Sequence, residues 1–238
     1  MRKNVKKQLA LRVLSTAALV AMVSSIATAA FAAEYNVAKG SVDILAEGGK
    51  QYITQWADKD NNLCVKDGEG KDIRDREDSN IILTTKNKDT GETETTSNTV
   101  TITAENKGDT ANVTLQDVHI ESSSTWSSDP APIEIKGNGS TNLELNGDNT
   151  VLTTNSTAEE HAAIEKADAY GTGTLTIKDD VNDDGTAKTG TEADTTGTLV
   201  AGGFENSAAI GGGSYHDGKN YANTSNITIT GGKITASG

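Results

Sequence analysis

The chain has 238 residues, a formal net charge of −13, 34% hydrophobic and 4% aromatic residues, and one cysteine, Cys64. Such acidity repels nucleic acid and anionic membrane, because phosphate binding needs clusters of Lys and Arg. One cysteine excludes an internal disulfide. So little apolar material excludes an ordinary globular core of this size, leaving disorder or a repetitive fold that buries thin aliphatic stripes.

Residues 1–33 differ sharply from the rest. Arg2, Lys3, Lys6, Lys7 and Arg12 form a basic start, Val13 to Val23 is mostly apolar, and Ala30-Phe31-Ala32 is a small-x-small site. That order predicts a secretory signal peptide cleaved near Ala32 or Ala33. The apolar run is broken by Ser15, Thr16, Ser24 and Ser25 and falls short of the roughly 20 residues a membrane span needs. The segment holds 5 of the 21 basic residues and none of the 34 acidic ones, so the mature chain would carry 16 basic against 34 acidic residues, a net charge of −18. The expected location is extracellular or cell-wall associated, with no membrane insertion of the mature chain.

Residues 34–99 are irregular. Strand-like pieces occur at Val42–Leu45, Gln51–Thr54 and Ile81–Thr84, with charged turns between them. They read as an N-terminal cap and first irregular coils, since the terminal repeats of a solenoid are atypical. Trp56 is expected in the core of that cap.

From about Val100 to residue 238 one phrase recurs: Asn112-Val113-Thr114-Leu115, Asn142-Leu143-Glu144-Leu145, Thr174-Leu175-Thr176-Ile177, Thr198-Leu199-Val200-Ala201 and Asn226-Ile227-Thr228-Ile229. Each copy alternates apolar and polar residues, as a strand with one buried face does, and each precedes a turn signal. A second phrase is interleaved: Ala131-Pro132-Ile133-Glu134-Ile135, Ala162-Ala163-Ile164-Glu165 and Ala208-Ala209-Ile210-Gly211-Gly212. Short strands recurring in the same order, at 24–32 residues per turn, predict an all-β, right-handed parallel β-helix, a solenoid whose coils must stack to bury their inner faces. A β-sandwich would also give short alternating strands but not two phrases in a fixed order. The last copy stops in mid-repeat at Gly238, so the expectation is either a longer parent chain or a last coil covered by a partner.

The phrase Ala208-Ala209-Ile210-Gly211-Gly212-Gly213, with Asn226-Ile227-Thr228-Ile229-Thr230-Gly231-Gly232, resembles the AGIGGG/ITITGG repeats of secreted and surface proteins from Gram-positive gut bacteria. The run Val113–Val151 resembles the calcium-binding, carbohydrate-binding parallel β-helix proteins of clostridia. The resemblance covers roughly residues 100–238 and implies a right-handed β-helix, calcium and a plant-type polysaccharide ligand. The second group often carries Asp-Gly-Ile where Ala163-Ile164 and Ala209-Ile210 stand here, a departure at the ligand-binding strands.

Candidate sites follow from residue chemistry. Asp180-Val181-Asn182-Asp183-Asp184-Gly185 fits the D-x-N-x-D-G pattern, in which Asp180, Asn182 and Asp184 would offer alternate oxygens to calcium and Gly185 the sharp turn. Asp58-Lys59-Asp60-Asn61-Asn62 has similar spacing but Leu63 where glycine is wanted. Trp126, Tyr215 and Tyr221 lie in polar loops and are the expected ring platforms for a sugar. Glu134, Glu144 and Glu165 occupy outward alternate positions and could form a carboxylate ladder. His119, His161 and His216 have no metal-ligand spacing. The expected partner is an extracellular polysaccharide or a host or cell-wall glycan, bound without cleavage. The alternatives are an adhesin stalk or spacer and a polysaccharide lyase or hydrolase.

Overall fold

Ile133 stands in register between Val100 and Ile164, and Ile164 in turn beside Ile210, all on parallel strands. Such in-register stacking of residues about 30 or more positions apart is what a parallel β-helix requires. The structure is a computed structural model that describes residues 33–124, 130–156, 161–179, 197–204, 207–213 and 222–238. These fall within one compact unit, Ala33–Gly238.

Three parallel sheets form the walls. Sheet I runs β1 (Glu34–Asn36), β6 (Ile81–Thr84), β8 (Thr110–Gln116), β11 (Ser140–Asn146), β14 (Thr174–Lys178) and β17 (Ile227–Ile229). Sheet II runs β16 (Ile210–Gly211), β13 (Ile164–Glu165), β10 (Ile133–Gly137), β7 (Val100–Ala104) and β2 (Ser41–Glu47). It then continues antiparallel through β3 (Lys50–Asp58) to β4 (Leu63–Cys64), with β5 (Arg76–Glu77) also on β3. Sheet III runs β18 (Lys233–Ser237), β15 (Thr198–Gly202), β12 (Asp148–Ser156) and β9 (His119–Ser124). From Val100 onward the chain visits sheets II, I and III in that order four times. Among the described residues there is no α-helix, only the short 3-10 turns Val37–Lys39 and Asp168–Tyr170.

The core consists of aliphatic columns. In sheet I the inward residues Ile81, Val113, Leu143, Ile177 and Ile229 stack in register, as do Tyr35, Leu83, Leu115 and Leu145. In sheet III Ile120, Val151, Ala201 and Ala236 form a third column. Val113, Leu115, Leu143, Leu145, Leu175, Ile177 and Leu199 are all buried, each worth about 1.5–3 kcal/mol of transfer from water. Ile227 is only partly buried and Ile229 is 51% exposed, because β17 has a single neighbour, β14.

Two details differ from the sequence reading. The phrase at 198–201 belongs to sheet III, not to the sheet of the other four copies. Within sheet I, Leu143 sits beside Ile177, and Leu175 beside Thr141, a two-residue shift from the alignment by phrase. A shift of two leaves every inward residue inward, so the alternating pattern alone does not fix it. The true sheet I intervals from Val113 to Leu143 to Ile177 to Ile229 are 30, 34 and 52 residues.

Corners demand small residues. Gly137 (φ +91°) and Gly171 (φ +135°) lie where coils turn out of sheet II; a Cβ on Gly137 would strike the Ala104 carbonyl, and one on Gly171 the Gly137 carbonyl. At the opposite corner, buried Asn149 accepts from Val118 N and donates to the carbonyls of Asn146 and Thr198, tying three coils together. Buried Asp179 accepts from Gly197 N at 3.0 Å, pinning the two ends of the 180–196 segment.

Candidate binding groove

The outward face of sheet II carries the chemistry. Because inward positions there are Val42, Ile44, Val100, Ile102, Ile133 and Ile135, the alternate residues Asp43, Leu45, Thr101, Thr103, Glu134 and Lys136 must face out. Register places Asp43, Thr101, Glu134 and Glu165 in one outer column, and Leu45, Thr103 and Lys136 in the next. These columns floor a groove of about 1080 Å³. The strand residues that line it come from four strands, β10 to β3, about 14 Å across at the usual spacing of about 4.8 Å; Glu165 on β13 lies beyond its lining.

Aromatic rings stand toward its two ends. Trp56 pairs with Ser41 across β3 and β2, so it faces outward and is not in the cap core where the sequence reading put it. Its indole N–H donates to Asp43 Oδ2 at 2.7 Å, and the Arg74 guanidinium lies 5.0 Å from its ring. Tyr170, in the turn after β13, is 38% exposed and has Lys136 Nζ 5.1 Å from its ring centre.

The polar groups between the rings are held in pairs. Lys59 Nζ donates to Asp43 at 2.9 Å, and Lys136 Nζ contacts Glu134 Oε2 at 2.8 Å. On the next rung His161 Nδ1 and Ala162 N both engage Glu165 Oε2, at 2.8 and 3.2 Å. Glu134, Glu165 and His161 are buried in the wall. Behind them Lys166 is buried and reaches Asp168 Oδ1 at 3.4 Å, which also accepts from Ser225 N and Oγ. Burial acts to raise the Asp168 pKa, but the Ser225 hydroxyl and the Lys166 ammonium outweigh it and hold the carboxyl below its ordinary value.

Of the three glutamates expected in one ladder, Glu134 and Glu165 are in-register neighbours. Glu144 is not with them: it lies on sheet I, 3.5 Å from Lys178. All three are buried although they point outward. His119 contacts Glu121 instead of joining the groove. Asp58 of the second acidic run turns back on its own loop, accepting from Asn61 N and Nδ2. Among the described residues no three His, Cys, Asp or Glu side chains are grouped to hold a metal. Trp126, Tyr215, Tyr221, Asp180, Asn182, Asp184 and His216 lie outside the described residues.

The groove residues that the sequence reading missed are Asp43, Trp56, Lys59, Lys136 and Tyr170. Lys136 was open to discovery, since it stands two residues after Glu134 and so on the same face. The reversal of β3 was open to discovery too, since Gly48-Gly49, both at positive φ between the paired Glu47 and Lys50, is a two-residue hairpin loop. The pairing of β2 with β7, which extends the face beside Trp56, has no such local mark.

Comparison with known proteins finds no family model, curated protein or solved structure that matches this chain. The fold is therefore carried by the strand register itself.

Proposed function

We propose that this is a secreted, cell-wall-associated or extracellular protein that binds a polysaccharide along the outer face of sheet II without cleaving it. The observation that carries the reading is the pair of rings, Trp56 and Tyr170, flanking a shallow polar floor on rigid strands. Sugar rings bury their apolar faces on such platforms while fixed polar groups set orientation. The expected loop rings Trp126, Tyr215 and Tyr221 are further candidate platforms for the same ligand. Calcium held by Asp180, Asn182 and Asp184 would stiffen the loop whose base Asp179 closes. This is also the role the resemblance to calcium-binding, carbohydrate-binding β-helices of clostridia implies.

Cleavage is the less favoured reading because the two carboxylates on the groove floor are already engaged, Asp43 by Trp56 and Lys59 and Glu134 by Lys136, which leaves only Asp60 at the margin. A general base needs a lone pair within reach of the substrate. A spacer role draws support from a different surface. The outer face of sheet I is lined by Asn112, Asn142, Thr176 and Thr228 in one in-register column, a uniform short polar array suited to a stalk.

The test is retention of the protein on immobilised polysaccharides, run beside assays for reducing ends and unsaturated products. Retention without product, weakened by Trp56→Ala and Tyr170→Ala, supports binding. Product release abolished by Asp60→Asn would hand the groove to an enzyme, and no retention on any glycan would leave the spacer.

A further inference from the structure

We infer that the groove selects an uncharged polysaccharide and rejects polyuronates and other polyanionic glycans, an inference that rests on the glycan-binding reading. A polyanionic chain is recognised by cations free to pair with it. The two lysines that line this groove are both engaged by carboxylates of the protein, Lys59 by Asp43 at 2.9 Å and Lys136 by Glu134 at 2.8 Å.

The two pairs differ in what an incoming carboxylate would have to do. Asp43 and Lys59 are substantially exposed, with side-chain exposures of 35% and 61%, so water can take over either partner. The Glu134 side chain is only 6% exposed against 36% for Lys136. A ligand carboxylate that captured Lys136 would leave Glu134 ionised, buried and beside Glu165 on the next rung. Stranding one partner of a buried pair is far more costly than never having formed it. Lys136 is further committed by its place over the Tyr170 ring. Asp60 adds another carboxylate to the groove margin, and the chain's net charge of −13 opposes a polyanion at long range.

What the groove offers instead is suited to hydroxyls. Thr101 and Thr103 lie on its floor between the two ion pairs, with Leu45 exposed beside them. A neutral sugar chain can pack against the ring faces that Arg74 leaves uncovered on Trp56 and Lys136 leaves uncovered on Tyr170, and hydrogen-bond to the threonines and to the outer oxygens of the pairs, without breaking a pair.

The experiment uses the full chain on two matrices, an immobilised neutral glucan or mannan series and an immobilised polygalacturonate, at low and high salt. The wild type is expected to be retained on a neutral matrix, unchanged by salt, and to pass through the polyuronate. Glu134→Gln removes the internal counter-charge of Lys136 while keeping its shape, and is expected to gain polyuronate retention that salt abolishes. Wild-type retention on polyuronate but not on neutral polymer overturns the charge selection and leaves glycan binding intact. Retention on neither removes the glycan reading and this inference with it. Should Glu134→Gln fail to fold, the salt response of the wild type on the two matrices decides alone.

Discussion

Glu134 on β10 and Glu165 on β13 occupy the same outer column on adjacent rungs, each buried and each carrying its own basic partner, Lys136 for the first and His161 for the second. Two like charges stacked about 4.8 Å apart would repel if left bare, so the partners are part of the structure and not decoration.

Removing one partner should therefore cost more than removing both. Lys136→Met is expected to lower stability by about 2–3 kcal/mol, less than the about 3–5 kcal/mol of a fully buried pair because Lys136 is partly exposed. The double variant Glu134→Gln with Lys136→Met should recover most of the loss. Urea unfolding of the wild type, the single variants Lys136→Met and Glu134→Gln, and the double variant measures this, and a double variant no more stable than Lys136→Met would show that the pair is not what matters.

The inner columns make a graded prediction. Leu175 is fully buried whereas Ile229 is half exposed at the last rung of sheet I. Leu175→Ala should destabilise by about 2–5 kcal/mol, and Ile229→Ala by well under half as much. Equal losses would mean that β17 is covered in solution.

Corner geometry gives a third outcome. Gly171 has a φ of +135°, and a Cβ there would meet the backbone of Gly137. Gly171→Ala should lower the melting temperature, at a cost of about 1–3 kcal/mol. Gly68→Ala, where a Cβ meets nothing within 4 Å and φ is not positive, should be close to neutral.

Acid should loosen the coil that Asp168 ties to Ser225. The Asp168 carboxyl is held below its ordinary value, against the opposing effect of burial, by Ser225 and Lys166. A depressed carboxyl contributes stability that is present above its unfolded-state pKa and is lost as pH falls through the folded one. Asp168→Asn should lose stability at neutral pH and show a shallower fall on acidification. Parallel pH profiles for wild type and variant would contradict this.

Calcium has its own test. If Asp180, Asn182 and Asp184 share one ion, titration calorimetry shows a binding event that Asp180→Ala with Asp184→Ala removes. Calcium then raises the melting temperature of the wild type alone. Identical melting of both proteins across a calcium series reduces the loop to an acidic insertion.

The all-β solenoid was legible from the sequence because its signal is local and repeated. Val113, Leu143 and Ile133 each sit in a phrase whose alternation marks an inner face, and the Ala-Ile phrases at 133, 164 and 210 do stack in one column. Register was less legible. Leu199 could be placed in the wrong sheet because all three walls use the same period-2 code, and a two-residue slip at Leu175 changes no side chain's face. The groove was least legible. It needs Trp56, Glu134 and Tyr170 to meet, and only long-range register brings them together. Glu144 shows the converse: its local pattern matches Glu134, yet it belongs to another wall.

Fluorescence of single-tryptophan proteins reports whether the sheet II groove is the binding surface. The chain has two tryptophans, Trp56 and Trp126. In Trp126→Phe the one remaining indole lies in the sheet II groove, and saturable binding of an uncharged oligosaccharide should shift its emission. In Trp56→Phe the reporter is Trp126, and weaker binding with a smaller change is expected. A saturable response from Trp126 alone, with Trp56 silent and its removal harmless to affinity, would contradict the sheet II groove as the binding surface.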